Sequence, residues 1–360
     1  MEITPGQWFG SFTSSKLPEY SGFCTLTIED PASKKASLAT VQKNFPRTIL
    51  QIDFLVENEK FIGKSFGTPI VFGDHKNSSS IFLENFIFEG SFIDTEYLTG
   101  TWHFNDENFG EFRLRNFRNA PAGPLNYTPW HEFKGKFMNV QNLSLIFRGQ
   151  INSQWTMRTS FNRSGRFDLQ KYHEVDLPAI HKVLESFYGT TLMYDKFEYS
   201  ELLGVLSFAQ HHKYPTPLLD WTENPLIAAF FAINQMDTSN QNDSARIFVL
   251  NRQMWEKKVY QARYLYDPSP SLSTIRCMRK FNPRHTPQES IHMLVNLDAI
   301  EPLIHYFSEE YSIPFLEYYD IKYSEIDLVR NDLEQKGITS DFVFPSIDSE
   351  LINLKLKMFR

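Results

Sequence analysis

The chain has 360 residues, of which 41% are hydrophobic, 15% aromatic and 22% charged, and its formal net charge is −7. This composition is that of an ordinary globular protein with room for two domains, and it argues against a coiled coil or a disordered chain. A mildly acidic chain also lacks the overall positive charge typical of general nucleic-acid binding, which leaves room only for a local basic groove.

Two cysteines, Cys24 and Cys277, lie far apart in the sequence. They cannot build a disulfide framework or a cysteine-rich zinc site, and they fit a reducing compartment. The N-terminus lacks the basic and apolar regions of a secretory signal. The longest apolar run, residues 226–233, is far shorter than the roughly 20 residues of a membrane-spanning helix. We therefore expect a cytoplasmic protein without a membrane partner.

Residues 1–117 are predicted to form an all-β domain, because short segments rich in β-branched and aromatic residues alternate with turn residues. Glycine stands beside aromatic residues in four of these segments, at 6–12, 88–92, 100–104 and 110–114. Small up-and-down barrels use glycine at bends and aromatic side chains inside. We predict an up-and-down meander that closes into a barrel or sandwich, which is either filled by its own side chains or holds a ligand as a sensor.

Residues 118–128 are rich in proline, glycine and alanine, which predicts a linker. Beyond them, apolar residues at helical spacing and short apolar runs alternate along the chain. Residues 129–360 are therefore predicted to form an α+β domain. Its expected elements include strands at 145–147 and 245–250 and helices at 177–188, 201–212 and 224–233.

Arg148 follows an apolar strand and precedes a glycine. A buried arginine needs a partner, and its planar guanidinium matches a phosphate or a carboxylate with two hydrogen bonds. Arg158, Arg163 and Arg166 follow, so this stretch fits a cationic lip around an anionic ligand. The alternative is that Arg148 anchors the fold by pairing with a carboxylate such as Asp220.

A second polar cluster contains His211 and His212 at the end of a predicted helix and then Asp220, Trp221 and Thr222 before the next helix. A polar strand end that meets a helix N-terminus is a natural place for phosphates. Each residue also has a structural interpretation: the aspartate as a turn cap, the tryptophan as core and the histidines as backbone partners. Adjacent histidines point apart on a helix and have no partner at metal-ligand spacing, so we predict no metal.

A third candidate is Glu289, which precedes an apolar strand. A carboxylate there fits a general base or a group that stabilises a cationic transition state. Glu289 is equally consistent with a solvent-exposed residue at the start of that strand.

Two separate motifs resemble the FRG domain: Phe-Arg-Gly-Gln at 147–150 and the stretch 210–222 that ends in Leu-Leu-Asp-Trp-Thr. The resemblance extends over residues ~130–350, with departures at Lys213 and Pro217, where the family usually has glycine and arginine. FRG proteins are largely bacterial or phage-borne, and some look like parts of toxin or antiphage systems. The resemblance therefore implies an effector in antiphage defence or a toxin system, regulated by the N-terminal β domain.

The order of Arg148, Thr222 and Glu289 is also similar to that of the core residues of ADP-ribosyltransferases. That similarity implies NAD as substrate, consumed by a transferase or glycohydrolase. Arg148 would bind the nicotinamide-ribose or pyrophosphate side of NAD, Thr222 would hold the nicotinamide ribose, and Glu289 would stabilise the oxocarbenium ion as nicotinamide leaves. The resemblance implies further ligand-binding residues, which are Gln150, Arg166, His211, His212, Thr216, Asp220 and Trp221.

Two alternatives come from other functional classes. The first is a non-catalytic module that binds a nucleotide or nucleic acid through the arginines, with Trp155 and Phe161 stacking on bases. The second is a phosphodiesterase or nuclease that uses Asp220, Glu223 and the histidines. A protein or nucleic-acid target fits each of them, and the sequence does not determine the oligomeric state.

Overall fold

The computed structural model describes residues 3–16, 21–42, 47–72, 86–104, 108–138, 144–188, 199–234, 244–276 and 288–345, with Lys355 and Met358. In its N-terminal part, eight antiparallel strands form a closed barrel, in which each strand pairs with the next and the last returns to the first. The predicted up-and-down barrel is confirmed. Its strands are β1 (Gly6–Ser14), β2 (Gly22–Ile28), β3 (Lys35–Gln42), β4 (Arg47–Glu57), β5 (Lys60–Phe72), β6 (Ile87–Phe92), β7 (Tyr97–His103) and β8 (Phe109–Asn116).

Aromatic side chains fill the interior of the barrel. Trp8, Phe12 and Trp102 are buried there, and the rings of Phe88 and Phe112 stack with their centroids 3.7 Å apart. Alternate residues of each strand point inward, and full burial of one phenylalanine contributes roughly 1.5–3 kcal/mol. The interior is thus packed by the barrel's own side chains, while the sensor role of this domain stays a prediction.

The recurring glycines of the barrel stand where neighbouring backbones approach closely. A Cβ atom at Gly110 would lie 1.7 Å from the carbonyl oxygen of Thr13, and one at Gly100 would lie 1.9 Å from that of Glu89. A residue with a side chain cannot be accommodated at these distances without a shift of the backbone. Close strand contact therefore explains why glycine recurs beside the aromatic residues.

The C-terminal region contains a six-stranded sheet in the order β12-β13-β10-β9-β11-β14, in which each paired neighbour is antiparallel. Strand β11 is buried along almost its whole length, because helices cover both faces of the sheet. The strands are β9 (Leu145–Gln150), β10 (Leu218–Thr222), β11 (Ser244–Asn251), β12 (Leu272–Ile275), β13 (Ser290–Val295) and β14 (Leu316–Lys322).

The helices form layers on this sheet. Helices α1, α6 and α9 pack on one face and share a core with Phe147 and Ile247, whereas α7 and α8 pack on the other face with Ile146 and Phe248. Helices α4 and α5 cover Leu218 of β10. The helices are α1 (Trp130–Phe137), α2 (Ser160–Arg163), α3 (Leu169–Lys171), α4 (Leu177–Tyr188), α5 (Tyr199–His211), α6 (Pro225–Ile233), α7 (Arg252–Lys258), α8 (Ile300–Tyr311), α9 (Ile326–Gln335) and α10 (Ser340–Val343).

A buried ion pair of the sheet binds the segment 118–128, which connects the barrel to the sheet region. Arg246 and Asp320 have fully buried side chains, with Nε and Oδ1 2.7 Å apart. Arg246 also donates to the carbonyl oxygens of Gly123 and Pro124, and Asp320 accepts from the main-chain N–H of Asn126. The predicted linker is thus tied to the sheet, and the domain boundaries 1–117, 118–128 and 129–360 stay a prediction.

The outer face of the barrel contacts the C-terminal region through charged groups. Arg47 of β4 donates to both carboxylate oxygens of Asp267 at 2.9 Å, and the Asp267 side chain is completely buried. Glu29 accepts from the main-chain N–H groups of Phe167 and Asp168. These contacts fix the position of the barrel on the sheet region. None of the helices in the described ranges is long and apolar enough to cross a membrane.

Candidate functional site

Arg148 lies in β9, in the middle of the sheet, between β10 and β11. It pairs in register with Phe248, which packs in the core beneath α7 and α8. The next residue, Gly149, faces the other side, because a Cβ atom there would lie 1.9 Å from the carbonyl oxygen of Ala228 in α6. Successive side chains of a strand alternate between the two faces. The Arg148 side chain therefore leaves the sheet on the face covered by α7 and α8.

The guanidinium of Arg148 is incompletely hydrogen-bonded. Its Nη1 donates to the main-chain oxygen of Asp220 at 2.7 Å. Its Nε is buried and has no hydrogen-bond partner among the described residues. Burial, with a smaller contribution from Arg163, lowers the pKa of Arg148 to about 10 against the opposite influence of Asp220. The arginine is still charged at neutral pH, and among the described residues no carboxylate binds it directly.

Trp221 lies beside Arg148 on the same face. Strands β9 and β10 are antiparallel and pair Phe147 with Thr222; Arg148 and Trp221 are the next residues of the two strands, and Trp221 belongs to the core on the α7 and α8 face. The indole Nε1 of Trp221 is also buried without a partner in the described part of the chain. Unsatisfied buried donors are rare in native proteins and point to a missing acceptor. Two such N–H groups on neighbouring strands indicate a place for an acceptor that these side chains do not supply.

Two of the three arginines that follow Arg148 are held by carboxylates. Arg158 binds Asp298 through two hydrogen bonds, of 2.7 and 2.5 Å. Arg166 binds Asp176 of the π-helical turn at 172–176 and also Glu29 of the barrel, and these partners raise its pKa. The guanidinium of Arg166 therefore bridges the two parts of the chain.

Arg163 differs from these two arginines. In the described ranges its guanidinium donates to the main-chain oxygen of Arg158 and to no carboxylate. Partial burial and the neighbouring Arg158 lower the pKa of Arg163. Arg148 and Arg163 are thus two cations that no carboxylate of the described residues neutralises, and Arg163 acts on the pKa of Arg148.

The loop after β9 carries an exposed aromatic ring. Gln150, two residues beyond Arg148 and on the same face, donates to the carbonyl oxygens of Asn152 and Trp155 at 3.1 and 2.7 Å. These bonds hold the loop against the strand end while the Trp155 side chain is 51% exposed. An exposed tryptophan ring on this loop provides a surface on which a base can stack.

Asp220 belongs to a second polar group on the α6 side of the sheet. Its Oδ1 accepts from Nε2 of Gln210 at 2.5 Å and lies 3.4 Å from Nε2 of His292. Thr216, buried next to them, donates its hydroxyl to Oε1 of Gln210. Burial lowers the pKa of His292, against the influence of Asp220, so the imidazole is neutral at neutral pH.

The histidine that reaches Asp220 was not among the predicted site residues. His292 stands opposite Asp220 in the antiparallel pair of β10 and β13. In the sequence, His292 is visible only as a histidine inside an apolar strand. Its contact with Asp220 depends on the pairing of β10 with β13, which brings together residues 72 positions apart. His211 and His212 lie at the end of α5, and the centroids of their rings are 5.2 Å apart.

Thr222 and Glu289 come together at the start of α6. The Thr222 hydroxyl donates to the main-chain oxygen of Gln288 at 2.6 Å and accepts from the N–H of Asn224. The Asn224 amide donates to Oε1 of Glu289 at 2.9 Å, and its own Oδ1 caps the helix. Glu289 adopts a left-handed backbone conformation with φ of 46°. The side chains of this group bind one another and the main chain.

Arg148 and Thr222 lie on opposite faces of the sheet. Thr222 is in register with Phe147, so it shares the α6 face, whereas Arg148 is the next residue along β9. The structure thus brings Thr222 and Glu289 into one group and Arg148 and Trp221 into another. In the described residues, no three His, Cys, Asp or Glu side chains gather as they would around a metal ion.

Comparison with known families supports part of the sequence analysis. Residues 143–241 match the family model of the FRG domain. The match contains Arg148 and the Leu-Leu-Asp-Trp-Thr motif of β10, and it ends before Glu289. The FRG resemblance is confirmed for this segment, which is shorter than the predicted extent. No curated protein matched the chain.

Proposed function

We propose that the region around the FRG match binds a nucleotide, with its phosphate held at Arg148. The observation that carries this proposal is the buried Nε of Arg148, which has no partner among the described residues; the Nε1 of Trp221, on the neighbouring strand, is equally unpartnered there. A phosphate oxygen accepts several charge-assisted hydrogen bonds at once, and an arginine fork matches it in geometry. Phosphate binding would satisfy both donors and neutralise the charge of Arg148.

Support for a nucleotide, rather than a bare phosphate, comes from the surroundings of the arginine. Arg163 adds a second cation, which forms no ion pair within the described ranges, and its exposure keeps it accessible to a ligand. Trp155 offers an exposed ring on the loop that Gln150 holds in place. Cations for the phosphates and a ring for the base are the usual parts of a site that tolerates different bases.

The proposal is tested with ADP and pyrophosphate as probes in isothermal titration calorimetry. We expect Arg148→Met to weaken both probes at least tenfold, since a hydrogen bond to a charged group is worth about 1.5–3 kcal/mol. The variant Trp155→Ala should weaken ADP and leave pyrophosphate unchanged. Arg330→Met removes an exposed arginine of α9 and serves as the charge-matched control.

Arg148→Met changes a buried side chain and could disturb folding. Arg163→Gln is therefore a second test, because it changes an exposed side chain. It should weaken both probes by a few-fold. The proposal is refuted if the wild type binds neither probe. It is also refuted if the wild type, Arg148→Met and Arg163→Gln bind the probes with equal affinity. Binding should also weaken as salt concentration rises, because part of it is electrostatic.

The NAD-consuming transferase or glycohydrolase, with a role in a toxin or antiphage system, stays a prediction of the motif order. Its catalytic set requires Arg148, Thr222 and Glu289 around one substrate. Nicotinamide release from NAD by the purified protein tests it directly. Equal release by the wild type and Glu289→Gln would exclude the proposed role of the glutamate, whether or not ADP binds at Arg148.

A further inference from the structure

Arg163, the second cation of the proposed nucleotide site, stands on a short segment whose position depends on other parts of the chain. It is the last residue of α2, a helix of four residues. Isolated helices of fewer than roughly 12 residues are marginal in water, so tertiary contacts must hold α2 in place. The C-terminal region binds its first turn, where the main-chain N–H of Phe161 donates to the carbonyl oxygen of Thr216. On either side of α2, the contacts lead to the barrel.

Before α2, the segment is joined to the barrel through Asp298. Arg158 binds both carboxylate oxygens of Asp298, at 2.7 and 2.5 Å. The main-chain N–H of Asp298 donates in turn to Oε1 of Gln7 in β1 at 2.9 Å. The carbonyl oxygen of Arg158 accepts from Nη1 of Arg163 at 2.6 Å. A side chain of the barrel thus supports the residue that orients the guanidinium of Arg163.

After α2, the barrel binds the segment directly through Glu29, the residue that follows β2. Oε2 of Glu29 accepts from the main-chain N–H groups of Phe167 and Asp168 at 3.1 and 2.8 Å. Its Oε1 lies 3.4 Å from Nε of Arg166. Hydrogen bonds to an ionised acceptor are stronger than those to a neutral one, and the Glu29 side chain is only 15% exposed. Glu29 therefore fixes the path of the chain where it leaves α2.

The position of α2 matters because Arg163 lies close to another cation. Besides burial, Arg163 contributes to the lowered pKa of Arg148, and the charge of Asp220 acts on both arginines. Two guanidinium groups repel each other until an anion lies between them. A segment released from the barrel would let Arg163 move away, and a phosphate would then have to bring it back. A site that is assembled in advance binds its ligand more tightly, because less ordering opposes binding.

We propose that Glu29 is a positioning residue of the nucleotide site: by holding residues 167 and 168, the barrel keeps Arg163 beside Arg148. This inference rests on the proposed nucleotide binding at Arg148 and adds that the N-terminal domain sets the affinity through its docking. Glu29 itself does not touch the ligand. Bound nucleotide strengthens the docking of the barrel by the same factor by which docking strengthens nucleotide binding, because coupling between two binding events is reciprocal.

Isothermal titration calorimetry of the full chain with pyrophosphate and ADP tests this inference. We expect Glu29→Ala to weaken both probes about threefold, near the lower end of the range for such indirect effects. The loss should not exceed that of Arg163→Gln, because Glu29 acts through Arg163. In the Arg163→Gln background, Glu29→Ala should therefore change nothing further, as expected for two residues that act on one contact. Glu57→Ala, at the exposed end of β4, is the matched control and should leave both affinities unchanged.

Hydrogen exchange without ligand provides a second measurement. The main-chain N–H groups of residues 158–168 should exchange faster in Glu29→Ala than in the wild type, whereas those of β11 should be unchanged. Faster exchange in β11 as well would show a general loss of stability and would overturn the positioning role. Equal probe affinities of Glu29→Ala and the wild type would overturn it too, as would a loss of affinity that persists in the Arg163→Gln background.

The outcomes separate the positioning role from nucleotide binding itself. If the wild type binds a probe and Arg148→Met weakens that binding while Glu29→Ala does not, only the positioning role fails. If the wild type binds neither probe, nucleotide binding at Arg148 fails and the positioning role fails with it, whatever the exchange rates.

Discussion

Glu301 is a carboxyl group that the fold removes almost entirely from water. It stands in the first turn of α8 and is 4% exposed. Its Oε2 accepts the main-chain N–H of Met157 at 3.3 Å, whereas its Oε1 has no partner among the described residues. Burial raises the pKa of Glu301 from 4.5 to about 7, although Met157 and the charge of Arg246 counteract the rise. Ionisation of this group therefore destabilises the folded chain.

The size of the effect follows from the difference between the two pKa values. Each unit of pKa corresponds to roughly 1.4 kcal/mol, so full ionisation of Glu301 costs about 3 kcal/mol relative to the unfolded chain. A raised carboxyl pKa gives stability that is present at low pH and is lost as the pH rises through 7. Glu301→Gln is neutral at every pH, so it should be more stable than the wild type at pH 8.5 and nearly equal to it at pH 5.

Thermal unfolding of both proteins between pH 5 and 8.5 measures the effect. One kcal/mol moves the Tm of a domain of 150–250 residues by roughly 2–4 °C, so the variant should gain roughly 6–12 °C at pH 8.5 as an upper estimate. Glu334→Gln, at an exposed position of α9, is the control and should show no pH-dependent gain. A difference in Tm between Glu301→Gln and the wild type that stays constant across this range would show that the carboxyl ionises freely.

Three further changes probe the docking of the barrel, the packing of the sheet and the second polar group. Arg47→Met leaves the buried Asp267 without its cation and should destabilise the chain by about 3–5 kcal/mol in urea unfolding, with partial recovery on adding Asp267→Asn; absence of recovery would contradict the ion-pair explanation. Gly149→Ala should lower the Tm markedly, because its Cβ would lie 1.9 Å from the Ala228 oxygen, and an unchanged Tm would disprove that contact. Burial lowers the pKa of His292 below its ordinary value of 6.5, so protonation of this imidazole destabilises the folded chain as the pH falls below 6.5. His292→Asn should weaken that acid dependence of the Tm, and an identical pH profile would argue against it.

Much of the barrel could be predicted because its signals are local. Alternating apolar residues and the glycines beside aromatic rings reflect constraints within and between sequential strands, and Gly100 and Gly110 stand at those close contacts. In the FRG-matching segment, the charge of Arg148 directly after the apolar residues 145–147 already indicated an unusual environment. The structure adds that its guanidinium binds the main chain of Asp220, and that the carboxylate of Asp220 is engaged by Gln210 and His292.

The grouping of the site residues depends on strand register, which is a property of the tertiary structure. A strand shows its two faces in its own sequence, but only its pairing with a distant strand determines which side chains become neighbours. The register of β9 and β10 places Thr222 on the face opposite Arg148, whereas Trp221 lies on the same face as Arg148. The contact of Arg166 with Glu29 likewise exists only because the barrel docks on the sheet region.

The sequence by itself determined that residues 147–150 and the Leu-Leu-Asp-Trp-Thr motif belong together in an FRG-like domain, since both motifs are contiguous runs of residues. It also indicated an all-β domain before them, because alternation and glycine spacing are written in each strand. Only the tertiary structure decided which donors stay unsatisfied, which arginines are neutralised and which side chains of the barrel hold the segment around α2. Each of these depends on groups that are distant in the chain and that folding brings within hydrogen-bond range.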